Sequence, residues 1–222
     1  MSIVVAVDGT AASGKGTLAK RLAAHFGFAH MDSGALYRLT ALAVLDHGGD
    51  PSREADALAG ARAIDLSRAG DPAIRTDVVG RAASQVAAVP AVRAALHDFQ
   101  KSFLEKPPGG SPGAVMDGRD IGTVIAPDAT AKLFVDADPA VRAQRRWREL
   151  KGLGIVRDEA ELLAEIVARD HADRSRAVSP LRQALDARLL DTTSLGIEPA
   201  FAAALALVSP GVESALKDRH RG

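Results

Sequence analysis

Gly9-Thr10-Ala11-Ala12-Ser13-Gly14-Lys15-Gly16-Thr17 follows the apolar run Ile3-Val4-Val5-Ala6-Val7 and precedes a helical pattern, Leu18 to Phe26. Strand, glycine-rich loop, helix is the context that makes such a run a phosphate cradle and not a chance match. Its glycines let backbone N–H groups converge on an anion. A helix starting near Lys15 adds its positive dipole end, and Lys15 brings a mobile cation for β and γ phosphates. A plain βα turn would not need the complete spacing.

The general motif places Ser or Thr directly after the lysine, to hold magnesium. Here Gly16 intervenes and Thr17 comes next. Gly-Lys-Gly-Thr resembles the variant found in nucleoside monophosphate kinases. That resemblance implies an Mg²⁺ ion held mostly by phosphates and water, with no direct protein ligand assigned.

The composition bounds the rest. At 222 residues the chain is expected to be one domain with small inserts, and 47% hydrophobic residues are ample for one core. Only 4% are aromatic, so Ala, Val, Leu and Ile must build that core. The formal net charge of zero argues against a general nucleic-acid or membrane-surface binder. The absence of cysteine removes disulfides and thiolate metal sites. With no asparagine, an Asn-Lys-x-Asp guanine-reading motif is also ruled out. The N-terminus enters a strand without a basic, apolar leader, and no apolar run is read as approaching the ~20 residues of a membrane span. A cytoplasmic protein and a monomer are expected.

Short apolar runs alternate with helical patterns, the signature of a parallel α/β sheet. Strands are expected at Ile3–Val7, Ala29–Met31, Ala114–Met116, Ala131–Val135 and Arg188–Leu190. Helices are expected at Lys15–Phe26, Gly34–His47, Ser52–Ala61, Thr76–Ala87, Ala91–Lys106, Pro139–Lys151, Glu159–Ala172 and Glu198–Leu207, with a tail from Val212 to Gly222 that extends the last one and frays. Ala63-Ile64-Asp65-Leu66 reads as a strand-like piece. Ligands of an open parallel sheet bind outside the carboxyl ends of its strands. The residues just beyond those ends are Asp8, Asp32-Ser33-Gly34, Asp117-Gly118-Arg119-Asp120, Asp136 with Asp138, and Asp191.

Phosphoryl transfer needs positive charge around phosphate oxygens and little covalent help. Three segments offer it besides Lys15. In Asp32-Ser33-Gly34-Ala35-Leu36-Tyr37-Arg38, Ser33 sits at a helix start, either as a simple N-cap or as an anion ligand, with Arg38 nearby. In Asp117-Gly118-Arg119-Asp120, Asp117 occupies the usual place of a group organising Mg²⁺ and its waters, against the alternative of a turn with a surface ion pair. In Arg169 to Arg176, Arg169, Asp173 and Arg176 share one helix face, which alone reads as an exposed ion-paired face. Arg142, Arg145, Arg146 and Arg148 are a solvated face or a lid over the triphosphate, and Trp147 stacks on a base or packs the lid.

Together these segments resemble bacterial cytidylate kinases over about nine tenths of the chain. The resemblance rests on Gly-Lys-Gly-Thr, Asp-Ser-Gly-Ala-Leu-Tyr-Arg, Ala82 to Ala87 with Val92-Arg93, Asp-Gly-Arg-Asp-Ile-Gly-Thr-Val, and Arg-Asp-x-x-Asp-Arg-x-Arg-Ala-Val. It implies a P-loop kinase core, a five-stranded parallel sheet flanked by helices, with a short monophosphate-binding insert and a short lid. The core would cover about 1–47, 114–146 and 177–222, the insert 48–113, and the lid with its following helix 147–176. Many members carry a longer insert with β-structure; here Asp50 to Ile74 is compact.

The resemblance further implies that residues Gly9 to Thr17 hold ATP, and that CMP or dCMP is the acceptor. Its phosphate would meet Ser33, Arg38, Arg119 and Arg176; its ribose Asp173, with Tyr37 and Arg169 nearby; its base Ser84, Arg93 and Asp120. The chemistry is sensible. Guanidinium forks suit a dianion. Arg93 can serve the cytosine acceptors while Asp120 accepts from the 4-amino group, and uracil would confront Asp120 with a carbonyl. Lys15, Arg119, Arg176 and Asp117 are the expected catalytic set. The rival readings are a kinase for another small acceptor and a P-loop ATPase.

Overall fold

A computed structural model describes residues 2–219. The chain divides into two compact units, Met1–Met31 with Lys106–Gly222, and Asp32–Glu105. The first is built on a sheet of β1 (Ile3–Gly9), β2 (Ala29–Asp32), β3 (Gly113–Gly118), β4 (Ala131–Asp136) and β5 (Arg188–Asp191), in the order β2-β3-β1-β4-β5. β1 lies parallel to β3 and to β4, and β4 parallel to β5. The central β1 is apolar without alternation because both of its faces are covered: Val5, Ala6 and Val7 are all 0% exposed. Register pairs Asp8 with Gly118 and Phe134, Gly9 with Val135, and Asp136 with Asp191, so the strand ends finish level.

One sheet face is closed by two helices. α1 (Lys15–Phe26) contributes Leu18, Ala19, Leu22 and Ala23. The C-terminal helix (Ile197–Arg219) contributes Ala200, Ala204, Val208 and Val212 at a spacing of four. This last helix corrects two expectations. The tail from Val212 does extend it, as expected, but without a break after Leu207: the helix runs on through Pro210, because the stripe keeps packing on the sheet and Pro210 sits on the exposed side. Its 23 residues include an 18-residue stretch of mean hydropathy 1.4, so the helix is long and apolar enough to cross a membrane by length and composition alone. Its stripe on β1 and β4 is instead that of a core helix. The last part of the expected tail, residues 220–222, lies outside the described residues.

The second unit holds α2 (Ser33–Asp46), α3 (Glu54–Arg62), α4 (Asp77–Val86) and α5 (Pro90–Glu105). α2 packs on α3 and α4, and α3 on α5, so α2 groups with the insert although residues up to 47 were expected in the core. The strand-like piece at Ala63–Leu66 is not a strand. Asp65 and Asp71 accept from the N–H groups of Ser67 and Ala73 and start two 3₁₀ turns, Leu66–Gly70 and Pro72–Arg75. Such side chains offer the backbone a local alternative to sheet pairing.

In the first unit again, α6 (Pro139–Gly152) and α7 (Glu159–Ser175) form a hairpin closed by Ala143, Leu150, Leu162 and Ile166. Asp138 and Asp158 cap them through the N–H groups two and three residues on. Trp147 and Leu163 pack on the same cluster, so Trp147 is a packing residue of the hairpin. The C-terminal helix is α8.

Candidate active site

The phosphate loop begins where β1 is pressed against β4. A Cβ on Gly9 would lie 2.0 Å from the carbonyl oxygen of Val135, so only glycine fits. The loop then turns through Ala12 at φ +58° and Gly14 at φ +89° before α1 starts at Lys15. Three of its carbonyls accept from side chains. Thr10 O accepts from Ser13 Oγ at 3.0 Å and from Lys15 Nζ at 3.4 Å. Ala11 O accepts from Arg142 Nη1 at 3.1 Å, and Ser13 O from Thr192 Oγ1 at 3.0 Å. Carbonyls held in this way leave the N–H groups of the loop for an anion, which is how such nests bind phosphate. Thr17 is exposed on the first turn of α1.

The end of β3 stands beside this loop. Asp117 is buried, and its Oδ1 meets His30 Nε2 at 2.8 Å. Its Oδ2 points at the start of α1, 3.5 Å from where a Cβ on Gly16 would be. Among the described residues no group of three or more His, Cys, Asp or Glu side chains could hold a metal by itself.

Past Asp117 the chain is not the turn with a surface ion pair that was the alternative reading of this segment. Asp120 is buried, and Ile121–Ile125 forms a π-helical turn. The turn is fastened to β1 by Asp8, whose Oδ1 accepts from Ile121 N at 2.8 Å and whose Oδ2 accepts from Gly122 N at 2.7 Å. Burial pushes the Asp8 carboxyl up to about 7, against the two amide donors; the Asp120 charge adds to the rise and Arg119 opposes it.

Arg119 turns to α7. Its Nε donates to Asp173 Oδ2 at 2.7 Å, and Arg176 donates to Asp173 Oδ1. Arg176 is not on the helix face that the spacing suggested: α7 ends at Ser175, and Arg176 at φ −57°, ψ 135° folds back to its partner. The ion pair is buried, not on the surface, with Asp173 4% exposed. That burial alone would raise the Asp173 pKa, but Arg119 and Arg176 overcome it, with help from Arg169, and hold it at about 2. Arg119, Arg169, Asp173 and Arg176 are thus one cluster.

The second unit brings other expected residues together. The Arg93 guanidinium lies over the Tyr37 ring, 5.4 Å from its centroid, and donates to Ala87 O at 3.2 Å. Ser84 on α4 donates back to Gly80 O at 3.3 Å. Ser33 is the first residue of α2 and is buried, with Arg38 half-buried on the next turn. The cap of α2 is Asp32, which accepts from Ala35 N at 3.2 Å, so Ser33 does not spend its hydroxyl on the N-cap role considered for it.

Four residues beside this machinery were given no such partners by the sequence: Asp8 was read only as a strand-end residue, Arg142 as part of a solvated face or a lid, and His30 and Asp170 had no role of their own. Arg142 was grouped with a basic face, yet it is 1% exposed and pairs with Asp170 Oδ2 at 2.6 Å across a separation of 28 residues.

The family model described as cytidylate kinase matches residues 5–209. A cytidylate kinase of Afipia carboxidovorans is 54% identical over 206 residues, covering 93% of this chain and 97% of its own. One from Rhodopseudomonas palustris is 55% identical, covering 93% and 95%. Among solved structures, a gluconokinase from Sinorhizobium meliloti superposes with a TM-score of 0.51 at 15% identity, covering 98% of this chain and 97% of its own. An uncharacterized protein from Eubacterium ventriosum gives 0.52 at 13% identity, over 94% and 99%. These two likenesses concern the fold. With the phosphate loop, the Arg119–Asp173–Arg176 cluster and a family match over almost the whole length, the chain belongs to the cytidylate kinase family.

Proposed function

We propose that this protein transfers the γ-phosphoryl group of ATP to CMP or dCMP, giving CDP or dCDP and ADP. The observation that carries the reading is the buried Asp173 cluster, which presents guanidinium groups on the same unit as the phosphate loop. Such an array is made for a second phosphorylated ligand, not for water. It is not expected of a P-loop ATPase that acts alone.

Residues Gly9 to Thr17 bind the triphosphate, and Lys15 balances charge on the transferring group. Arg119 and Arg176, with Ser33 and Arg38, hold the acceptor phosphate. Asp173, Tyr37 and Arg169 serve the ribose; Ser84, Arg93 and Asp120 read the base. The acceptor phosphate oxygen is already ionised near neutral pH, so no residue needs to remove a proton from it. The surrounding guanidinium groups offset the repulsion between the negatively charged donor and acceptor phosphates, and exclusion of water limits hydrolysis. Asp117 would hold waters of an Mg²⁺ ion. Such an ion would supply charge neutralisation on the bound phosphates. The whole chain acts as one P-loop kinase domain with insert and lid, as a cytoplasmic monomer on small nucleotides, without nucleic acid or membrane.

The test is ADP release from ATP and Mg²⁺ with CMP, dCMP, UMP, AMP or no acceptor. Activity mainly with CMP and dCMP is expected. Preference for AMP or UMP would overturn the roles of Arg93 and Asp120, and release without an acceptor would make the protein an ATPase. Asp120→Asn is expected to narrow the CMP-to-UMP ratio of kcat/KM by tenfold or more, since an amide can donate to the uracil carbonyl; an estimate of roughly this size follows from hydrogen-bond mismatches in buried sites.

A further inference from the structure

We propose that Arg142 and Asp170 are positioning residues that couple the ATP loop to the helix carrying the acceptor-side residues. The inference rests on the function proposed above and adds a device to it. Arg142 is 1% exposed and Asp170 3%. Every nitrogen of the guanidinium has a partner: Nε donates to Ala137 O at 2.8 Å, Nη1 to Ala11 O at 3.1 Å and Nη2 to Asp170 Oδ2 at 2.6 Å. Those acceptors belong to three separate pieces of the first unit, namely the connection before α6, the phosphate loop and α7.

A buried ion pair is a poor choice if stability were its only purpose. Removing two charges from water costs several kcal/mol per ion, and apolar side chains of like volume commonly do as well or better. What the pair supplies is geometry. Ala11 immediately precedes Ala12, a non-glycine residue held at φ +58°. That conformation is disfavoured for L-residues, so the loop shape depends on what grips its neighbours. Arg142 grips one of them and fixes it to α7.

A second route runs parallel to the first. Thr10 Oγ1 donates to Asp136 Oδ1 at 2.7 Å, and Arg174 of α7 stands 3.7 Å from Asp136 Oδ2 and 3.8 Å from Asp170 Oδ2. Two consecutive loop residues, Thr10 and Ala11, are therefore each tied to the same turn of α7, at positions 170 and 174. Asp173, between those ties, organises Arg119 and Arg176. When a triphosphate fixes the loop, α7 is set with it, and the guanidinium groups for the acceptor are set in turn. Such coupling is reciprocal: whatever factor ATP adds to CMP affinity, CMP adds to ATP affinity.

The experiment is calorimetric titration of CMP with and without Mg²⁺ and a non-hydrolysable ATP analogue. Wild type, Arg174→Ala and the double variant Arg142→Met/Asp170→Leu are compared, with a thermal melt of each. Wild type is expected to bind CMP about fivefold or more tighter with the analogue present, the lower end of usual coupling. In the double variant that ratio falls clearly below the wild-type value, because only the Thr10–Asp136–Arg174 route is left, while each nucleotide alone still binds and the melting temperature stays close to wild type. A staple with a merely structural role would lower the melting temperature and leave the ratio intact. Arg174 has a half-exposed side chain (51%), so its alanine variant folds even where the double variant does not, and an intermediate ratio is expected there. A wild-type ratio of one, or an undiminished ratio in the folded variants, overturns the proposal. No CMP binding by wild type under any condition would instead sink the kinase reading itself.

Discussion

Lys15 is the residue proposed to balance charge on the transferring group, and that role is testable without disturbing the fold. It is half-buried at the first position of α1, reaching Thr10 O. Lys15→Met keeps the stem and removes the charge. Turnover is expected to fall by about 10²–10³-fold or more, the usual loss when one charge-stabilising group goes, with the melting temperature unchanged. Near-normal turnover would remove the lysine from the phosphate cradle.

Asp8 makes a different prediction at the same scale. Its native carboxyl titrates near 7, raised from the ordinary 3.8 by burial. A group raised in this way contributes its full stabilisation below the unfolded value and loses it as pH climbs through the folded one. Between pH 4 and pH 7 the wild type should therefore lose unfolding free energy relative to Asp8→Asn, at up to about 1.4 kcal/mol per pH unit. Urea titrations at several pH values in that window check this. Parallel profiles for the two proteins would mean that Asp8 ionises like an exposed carboxyl.

At the scale of elements, α8 is the piece whose sequence and environment seem at odds until its two sides are separated. Ala204 is 0% exposed against the sheet, whereas Ala206, two residues on, faces out. Ala204→Asp places a carboxylate in the core with no partner. It should cost on the order of 3–5 kcal/mol, as unpaired buried charges do. Ala206→Asp should change stability by no more than about 0.5 kcal/mol, like other surface substitutions. Chemical denaturation of both variants tests the core placement; a helix surrounded by lipid would tolerate neither. The α6–α7 hairpin teaches the same lesson. Its arginines look alike in sequence, yet Arg142 is interior, Arg145 donates to Thr192, and Arg146 pairs with Glu149 on the surface.

At the scale of the molecule, ligands should stabilise the fold in proportion to how well they are held. CMP at about 100 times its Kd should add about 2.7 kcal/mol to the unfolding free energy. The same concentration of UMP should add less if Asp120 reads the base as proposed, since it would then face an acceptor. Thermal melts with each nucleotide measure this directly, and equal shifts would remove the base from recognition in the ground state.

Much of this molecule was legible before any coordinates. Local chemistry determined it: the Gly9–Thr17 spacing after an apolar run defines the cradle, and alternating runs define the parallel sheet with every strand located to within a residue or two. Asp-capped starts of α6 and α7 are equally local. Element ends followed less well where packing outweighed propensity. Pro210 should stop a helix but does not, since the apolar stripe beyond it still has a sheet to cover. Only the tertiary structure decided which charges meet. The Asp8 clasp on Ile121 and Gly122 and the Arg142–Asp170 pair join residues from 28 to more than 100 positions apart. No spacing rule reaches that far. A charge in a sequence carries no record of its burial, and whether an arginine is solvated, pairs with a substrate or braces a loop is settled by which neighbours the sheet brings to it.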